Sequence, residues 1–394
     1  MLRELSPSAI YMGLLAAFVG YSASFAIVLA GVTRVGATPD QAATALFFAT
    51  LGMGVGSLWL PLATRSPAAV AWSTPGAALL AASAAPAGGF GAVVAALIGC
   101  AALIAITGVV PLLGRIVAAI PKPVANALLA GVLFPLCLAP AHALGAAPLL
   151  FLPVLGAWVA GLLLHRLAAM PLAVLAFILV MIFAVDLPAD ALGDALGGSL
   201  GLPALAPVAP EFSLAGLISL ALPLYLVTMA GQNIPGFALL ELQGYPVDRQ
   251  AALRKTGLAS LVAAPFGAIP INMSAITAAL MAGPDAHPDR SRRYWAAVVS
   301  GLGYVGLALL AEPVTQLAQA APSELIIGVA GLALIPALVA ALSAGFSEPG
   351  SIEAPALTFL ITASGMTLLG ISGAFWGIVI GVLIWGLKRG LKRR

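Results

Sequence analysis

Charge is scarce in this 394-residue chain: 8% of residues are Asp, Glu, Lys or Arg, against roughly 25% in an ordinary soluble domain. Hydrophobic residues make up 62%, so there is too little polar surface to clothe a water-soluble globule. The same balance excludes disordered, collagen-like and nucleic-acid-binding chains. Cysteine is nearly absent. Cys100 and Cys137 lie in apolar runs with neither metal nor disulfide spacing, and read as small buried hydrophobes. No HExxH, GxSxG or clustered acid pair is placed for chemistry, so neither an enzyme nor a cofactor or metal is expected.

What is present is apolar length. A mean hydropathy of +1.11 makes lipid the solvent for most of the surface, and about 28 residues per segment is room for fourteen crossings with short loops. The start, Met1-Leu-Arg-Glu-Leu-Ser-Pro, leads into an apolar stretch long enough to remain as a span rather than a cleaved signal. Spans are expected near 10–32, 40–62, 70–84, 88–111, 122–140, 148–165 and 170–186. A second set is expected near 213–240, 249–266, 268–282, 294–311, 323–343, 354–369 and 372–388. With both termini cytoplasmic, 16 of the 17 Lys and Arg fall on the inner side and only Arg34 outside, the bias the positive-inside rule demands. The linker 188–212, with Asp190, Asp194 and Glu211 and no basic residue, is expected outside.

Seven spans per half force the second half upside-down relative to the first if the two share a fold. The expected fold class is therefore an all-α integral membrane protein of two inverted seven-span repeats, 1–187 and 213–394. Pro121/Pro135 and Pro322/Pro336 repeat a spacing of 14. Asp40-Gln-Ala-Ala resembles Arg249-Gln-Ala-Ala, and each half has a short third segment, Ala71-Trp-Ser-Thr-Pro-Gly and Ala268-Ile-Pro-Ile-Asn-Met-Ser.

Those third segments are too short for full helices. Five extended residues and ten helical ones cover about 30 Å, so each is expected to be half strand and half helix, broken at the midplane. Ser73 or Thr74 caps the first half-helix, with Pro75 at its first position, and Asn272, followed by Ser274, caps the second. Inversion aims both N-termini at one volume, an anion site built without Lys or Arg. Gln232 and Asn233, inside the apolar eighth span, must face protein or a cavity. Tyr21, Ser22, Ser24 and Phe25 stand at the matching place in the first span. Carboxylates are missing from these segments, which favours an anionic ligand. A proton could ride on the substrate, on a peripheral group such as Glu241 at the end of the eighth span, or not be coupled at all, and His142 and His165 read as structural.

Thr228-Met-Ala-Gly-Gln-Asn-Ile-Pro-Gly, Ala264-Pro-Phe-Gly, Ile271-Asn-Met-Ser-Ala-Ile-Thr-Ala-Ala-Leu and Gly283-Pro-Asp-Ala-His-Pro-Asp-Arg-Ser-Arg-Arg-Tyr-Trp, together with Trp72-Ser-Thr-Pro-Gly-Ala, resemble the bacterial benzoate/proton symporter family. More distantly the chain is similar to nucleobase and sulfate carriers with seven-plus-seven inverted repeats. The resemblance implies a core domain from 8–111 and 213–312 and a gate domain from 112–187 and 323–390. It further implies uptake of benzoate or a close aromatic carboxylate across the inner membrane with a proton, by alternating access, and leaves a homodimer open. Gln232 stands where nucleobase carriers have a glutamate, and Ser274 replaces a second carboxylate. The carboxylate is expected between Thr74/Pro75 and Asn272/Met273, helped by Ser73, Gln232, Asn233, Ser24 and Ser274. The ring is expected against Phe25, Trp72, Ile271 and Met273. A nucleobase or inorganic-anion carrier of the same fold, a benzoate uniporter, and an ion channel are the competing readings.

Overall fold

Apolar runs bounded by Pro, Gly or charge become helices throughout the computed structural model, which describes residues 5–165, 167–185, 202–348, 352–369 and 371–392. In the first half these are α1 (Pro7–Ser22), α2 (Phe25–Arg34), α3 (Pro39–Thr64), β1 (Val70–Trp72), α4 (Thr74–Ala82) and α5 (Gly89–Thr107). They are followed by α6 (Pro111–Ala119), α7 (Lys122–Cys137), α8 (Ala139–Ala146), α9 (Pro148–Leu164) and α10 (Ala169–Ala184). The second half begins with α11 (Leu214–Leu242), then α12 (Arg249–Ala263), β2 (Ile271–Met273), α13 (Ala275–Ala282), α14 (Tyr294–Ala308) and α15 (Ala311–Ala320). It closes with α16 (Ser323–Gly345), α17 (Glu353–Ala363), the short strands β3 (Thr367–Leu368) and β4 (Ile371–Ser372), and α18 (Gly373–Lys392). Among the described residues six stretches, Pro7–Arg34, Pro39–Thr64, Gly89–Thr107, Lys122–Ala146, Leu214–Leu242 and Ser323–Gly345, are long and apolar enough to cross a membrane. The chain is a multi-pass membrane protein.

Helix starts follow local chemistry. Thr38 and Gln41 exchange side-chain and backbone bonds in a capping box at the head of α3. Asp248 caps α12 through the Ala251 amide. Arg293 closes the other end of a helix, its Nη1 donating to the Ala282 carbonyl at 2.6 Å and its Nε to the His287 carbonyl at 2.8 Å. Arg293, one of the Lys and Arg counted on the inner side, therefore also satisfies a carbonyl that α13 leaves unpaired.

Several expectations need correction. The first span is not one rod: it breaks at Ala23 and Ser24, between α1 and α2. The thirteenth span, expected to run to 369, ends at Ala363, because Gly365 turns to a left-handed φ of 63° and the chain enters the β3–β4 ladder. Two amphipathic helices, α6 and α15, occupy the same place in each half and went unforeseen. Each is followed by a proline in nearly one conformation, Pro121 at φ −56°, ψ 128° and Pro322 at φ −52°, ψ 132°. Of the linker 188–212, residues 188–201, with Asp190 and Asp194, lie outside the described residues. Its tail lies across α3 and α5: Thr44 Oγ1 donates to the Ala204 carbonyl at 3.0 Å, and the Glu211 amide to that of Gly91 at 3.0 Å.

The helices pack in two groups. In one, α3 and α1 pack on α14, α5 on α12 and α2 on α4; in the other, α7 packs on α16 and α17, α17 on α18 and α9 on α10. The groups meet where α4 touches α7, α2 touches α16 and α1 touches α10. Small residues permit the closest approaches inside the first group, as at Gly257, where an added Cβ would lie 2.4 Å from the Ala105 amide nitrogen.

Candidate functional site

Both short segments are broken as their composition requires, and the two breaks are joined. β1 and β2 pair antiparallel with Val70 opposite Met273, Ala71 opposite Asn272 and Trp72 opposite Ile271. The ladder continues one bond at each end: the Ser73 amide donates to the Pro270 carbonyl and the Ser274 amide to that of Ala69, both at 2.9 Å. Antiparallel pairing sends α4 and α13 away in opposite directions from a common centre, with their caps roughly 13 Å apart along the strand.

Serine caps both half-helices. Ser73 Oγ accepts from the Gly76 amide at 3.0 Å and shares a 2.7 Å bond with Thr228 Oγ1. Thr74 is the first helical residue and Pro75 the second, one place later than expected. In the second half the cap is Ser274, whose Oγ accepts from the Thr277 amide, rather than Asn272. Pairing with Ala71 draws Asn272 into the strand, where its amide, oriented to satisfy both atoms, accepts from the Ser73 amide at 3.1 Å and donates to the Met273 carbonyl at 3.0 Å. Asn233 is equally committed, since its Oδ1 accepts from the Met273 amide at 3.0 Å and its Nδ2 faces Met229 Sδ at 3.3 Å. Asn233 and Asn272 thus hold the ladder.

Other polar groups here are left unengaged, among them the buried Tyr21 hydroxyl. The Gln232 amide and the Thr74 hydroxyl, both half-buried, make no hydrogen bond to the described residues. The Thr74 and Ala275 backbone amides open their helices and have no intrahelical acceptor.

Gln232 is aimed by a break in regularity. Within α11 two wide turns carry five-residue bonds, Leu222 amide to Leu217 carbonyl and Ile234 amide to Met229 carbonyl. Each ends directly before a proline, Pro223 and Pro235. A proline ring crowds the carbonyl four residues back and offers no N–H, so the turn before it opens. Gly231 lets the opened turn approach α4, with the ideal Cβ position 2.9 Å from Pro75 Cγ.

An aromatic cluster forms the apolar flank. Trp72 Nε1 donates to Ser24 Oγ at 2.7 Å, which fixes the break between α1 and α2. Tyr21 stacks on Phe25 with centroids 5.6 Å apart and meets Trp72 at 5.5 Å. Phe25, Trp72, Ile271 and Met273 are all buried. Ser24 is spent on Trp72 and on the Gly20 carbonyl at 3.2 Å. Glu241 lies apart from this centre, exposed and held by Arg249 through two bonds of 2.6 and 2.8 Å.

A cavity of about 530 Å³ separates the two helix groups nearby, lined by Tyr11, Met12 and Leu15 of α1, Ala279 and Leu280 of α13, and His165 and Leu167 at the α9–α10 turn. Among the described residues no group of His, Cys, Asp and Glu is arranged to hold a metal ion.

The family model for benzoate membrane transport proteins matches residues 3–387. The chain belongs to that family. It is 36% identical over 384 residues to the inner membrane protein YdcO of Escherichia coli, covering 96% of this chain and 95% of that protein. To a benzoate membrane transport protein of Acinetobacter baylyi it is 32% identical over 383 residues, covering 97% and 95%. Among solved structures, the transmembrane domain of a cyanobacterium bicarbonate transporter, BicA, matches with a TM-score of 0.59 at 14% identity, covering 96% of this chain and 98% of that one, and so shares the fold. Membership of the benzoate transport family makes the chain a membrane transporter, not an enzyme.

Proposed function

We propose that the protein imports benzoate or a close aromatic carboxylate across a bacterial inner membrane by alternating access, with both termini in the cytoplasm. The observation that carries this reading is the joined pair of breaks. Two helix N-termini leave the Thr74 and Ala275 amides free, the turn that carries Gln232 packs against Pro75 at the first of them, and the region has no Asp, Glu, His, Lys or Arg. Partial positive charge without a basic residue suits a single carboxylate, and the cluster of Trp72, Phe25, Ile271 and Met273 suits a ring. Asn233, Asn272, Ser73 and Ser274 hold these donors in place. The family's name and the Acinetobacter relative support benzoate as the substrate.

Fourteen crossings in two inverted repeats accord with the matched ladder, the matched amphipathic helices and the fold shared with the BicA domain. The core, 8–111 and 213–312, rocks against the gate, 112–187 and 323–390, and the cavity beside Tyr11 and His165 is the cytoplasmic vestibule. Glu241, tied to Arg249 outside the site, is not the group that carries a proton with the substrate.

Uptake of labelled benzoate into proteoliposomes tests the reading. Unlabelled benzoate should compete while uracil and sulfate do not; competition by either of the latter in place of benzoate would favour the nucleobase or inorganic-anion alternative. Uptake driven by a pH gradient at clamped voltage marks symport, and indifference to that gradient marks a uniporter.

A further inference from the structure

A second groove lies on the seam between the two helix groups, away from the ladder. It encloses about 460 Å³ and is lined by Ile120, by Leu222 and Leu226 of α11, and by Phe375, Ile378, Val379, Val382 and Leu383 of α18. All the lining side chains are apolar. Along α18 the groove extends about 12 Å, and the helix end farther from its basic tail is tied to α11 by the 2.9 Å bond from Ser372 Oγ to the Ser219 carbonyl.

The other end is basic. Arg389 follows Val382 by seven residues and Phe375 by fourteen, so it lies on the same helical face, about 9 Å beyond Leu383. Its guanidinium rests over the Trp385 ring, 5.3 Å from the centroid. Lys122 stands two residues past Ile120, exposed at the start of α7, and Arg115 is exposed on α6. Lys388 pairs with Glu353 and is not available. No carboxylate among the described residues forms an ion pair with Arg389 or Lys122. An apolar trough opening onto unpaired basic side chains at a bilayer surface complements one kind of molecule, a phospholipid with an anionic headgroup.

We propose that an anionic phospholipid occupies this groove, one acyl chain along Leu222, Leu226, Ile378 and Val382 and its phosphate between Lys122 and Arg389. Because α11 packs on α4 and α5 of the first group and α18 on α17 of the second, such a lipid touches both groups and is carried through any rearrangement between them. The site stands on the groove and its charges and does not depend on which substrate is transported.

Native mass spectrometry of the full chain, released from bilayers of equal phosphatidylglycerol and phosphatidylcholine, reads the occupant directly. Wild-type protein should retain phosphatidylglycerol in preference. The double variant Lys122→Gln, Arg389→Gln, altered only at exposed positions, should lose that preference by roughly fivefold per residue removed. Val382→Trp, which fills the trough while sparing the headgroup site, should lower retention of bound lipid. Equal retention of the two lipids by wild type, or a preference unchanged in the double variant, would overturn the proposal. So would a dimer mass that Val382→Trp abolishes, because the groove would then be covered by a second copy of the chain.

Discussion

Ser57 on α3 and Ser260 on α12 each accept from the amide of the first residue of one strand and face its carbonyl. Ser57 Oγ accepts from the Val70 amide at 3.0 Å and donates to the Val70 carbonyl at 3.1 Å. Ser260 Oγ accepts from the Ile271 amide at 2.9 Å and shares its one hydrogen between the Thr256 carbonyl at 2.8 Å and the Ile271 carbonyl at 3.3 Å. Each serine satisfies the outward-facing polar groups of a three-residue ladder that has no third strand. Such groups left unpaired in an apolar interior would be costly. The correspondence across the halves supports an inverted repeat more strongly than the weak sequence echoes do.

Ser57→Ala and Ser260→Ala should therefore destabilise the protein by similar amounts, about 1–3 kcal/mol each. Thermal unfolding in detergent measures this. A shift in only one variant would mean that the two contacts are not equivalent.

Gln232→Ala and Thr74→Ala should weaken benzoate binding by roughly tenfold or more, the range for a hydrogen bond to a charged group, with little change in melting temperature. Asn233→Ala and Asn272→Ala should behave differently, lowering thermal stability because the first leaves the Met273 amide and the second the Met273 carbonyl unpaired. Titration calorimetry beside thermal unfolding separates the two pairs. Stable Asn variants that have lost binding would instead make the asparagines direct ligands.

Glu241→Gln should leave the pH dependence of uptake unchanged, since that carboxylate is exposed and occupied by Arg249. The broken ion pair should cost less than about 1 kcal/mol, as surface pairs do. Uptake in vesicles of varied internal pH checks this, and an abolished pH response would make Glu241 the proton carrier.

Gly257→Ala should destabilise strongly, by roughly 1–3 kcal/mol or more, because the new methyl would lie 2.4 Å from the Ala105 amide nitrogen and 2.6 Å from its Cα. Backbone on both sides leaves nothing flexible to yield. Thermal unfolding tests it, and an unchanged melting temperature would show that α5 and α12 can separate freely.

Much of this architecture was legible because breaks in lipid need strong local signals. Pro75 and Pro270 mark both broken segments, and Gln232 is conspicuous in an apolar run. What could not be read depends on contacts between distant parts of the chain. The break at Ser24 is held by Trp72, 48 residues away, and nothing in its own apolar surroundings stops a helix. Asn272 looks like a cap by residue type and becomes a strand residue only because β1 pairs with it. Ser57 and Ser260 are unremarkable serines until the strands are placed beside them. The wide turns before Pro223 and Pro235 had a local signal in the prolines, although proline alone does not distinguish a kink from an extra residue in the turn.

The most direct test of the binding account is a structure with 4-bromobenzoate, the bromine located by its anomalous scattering. The account predicts the carboxylate at the Thr74 amide within reach of Gln232, with the bromine on the side of Trp72 and Phe25. A bromine peak found only in the cavity beside Tyr11 and His165, with the half-helix tips unoccupied, would contradict it.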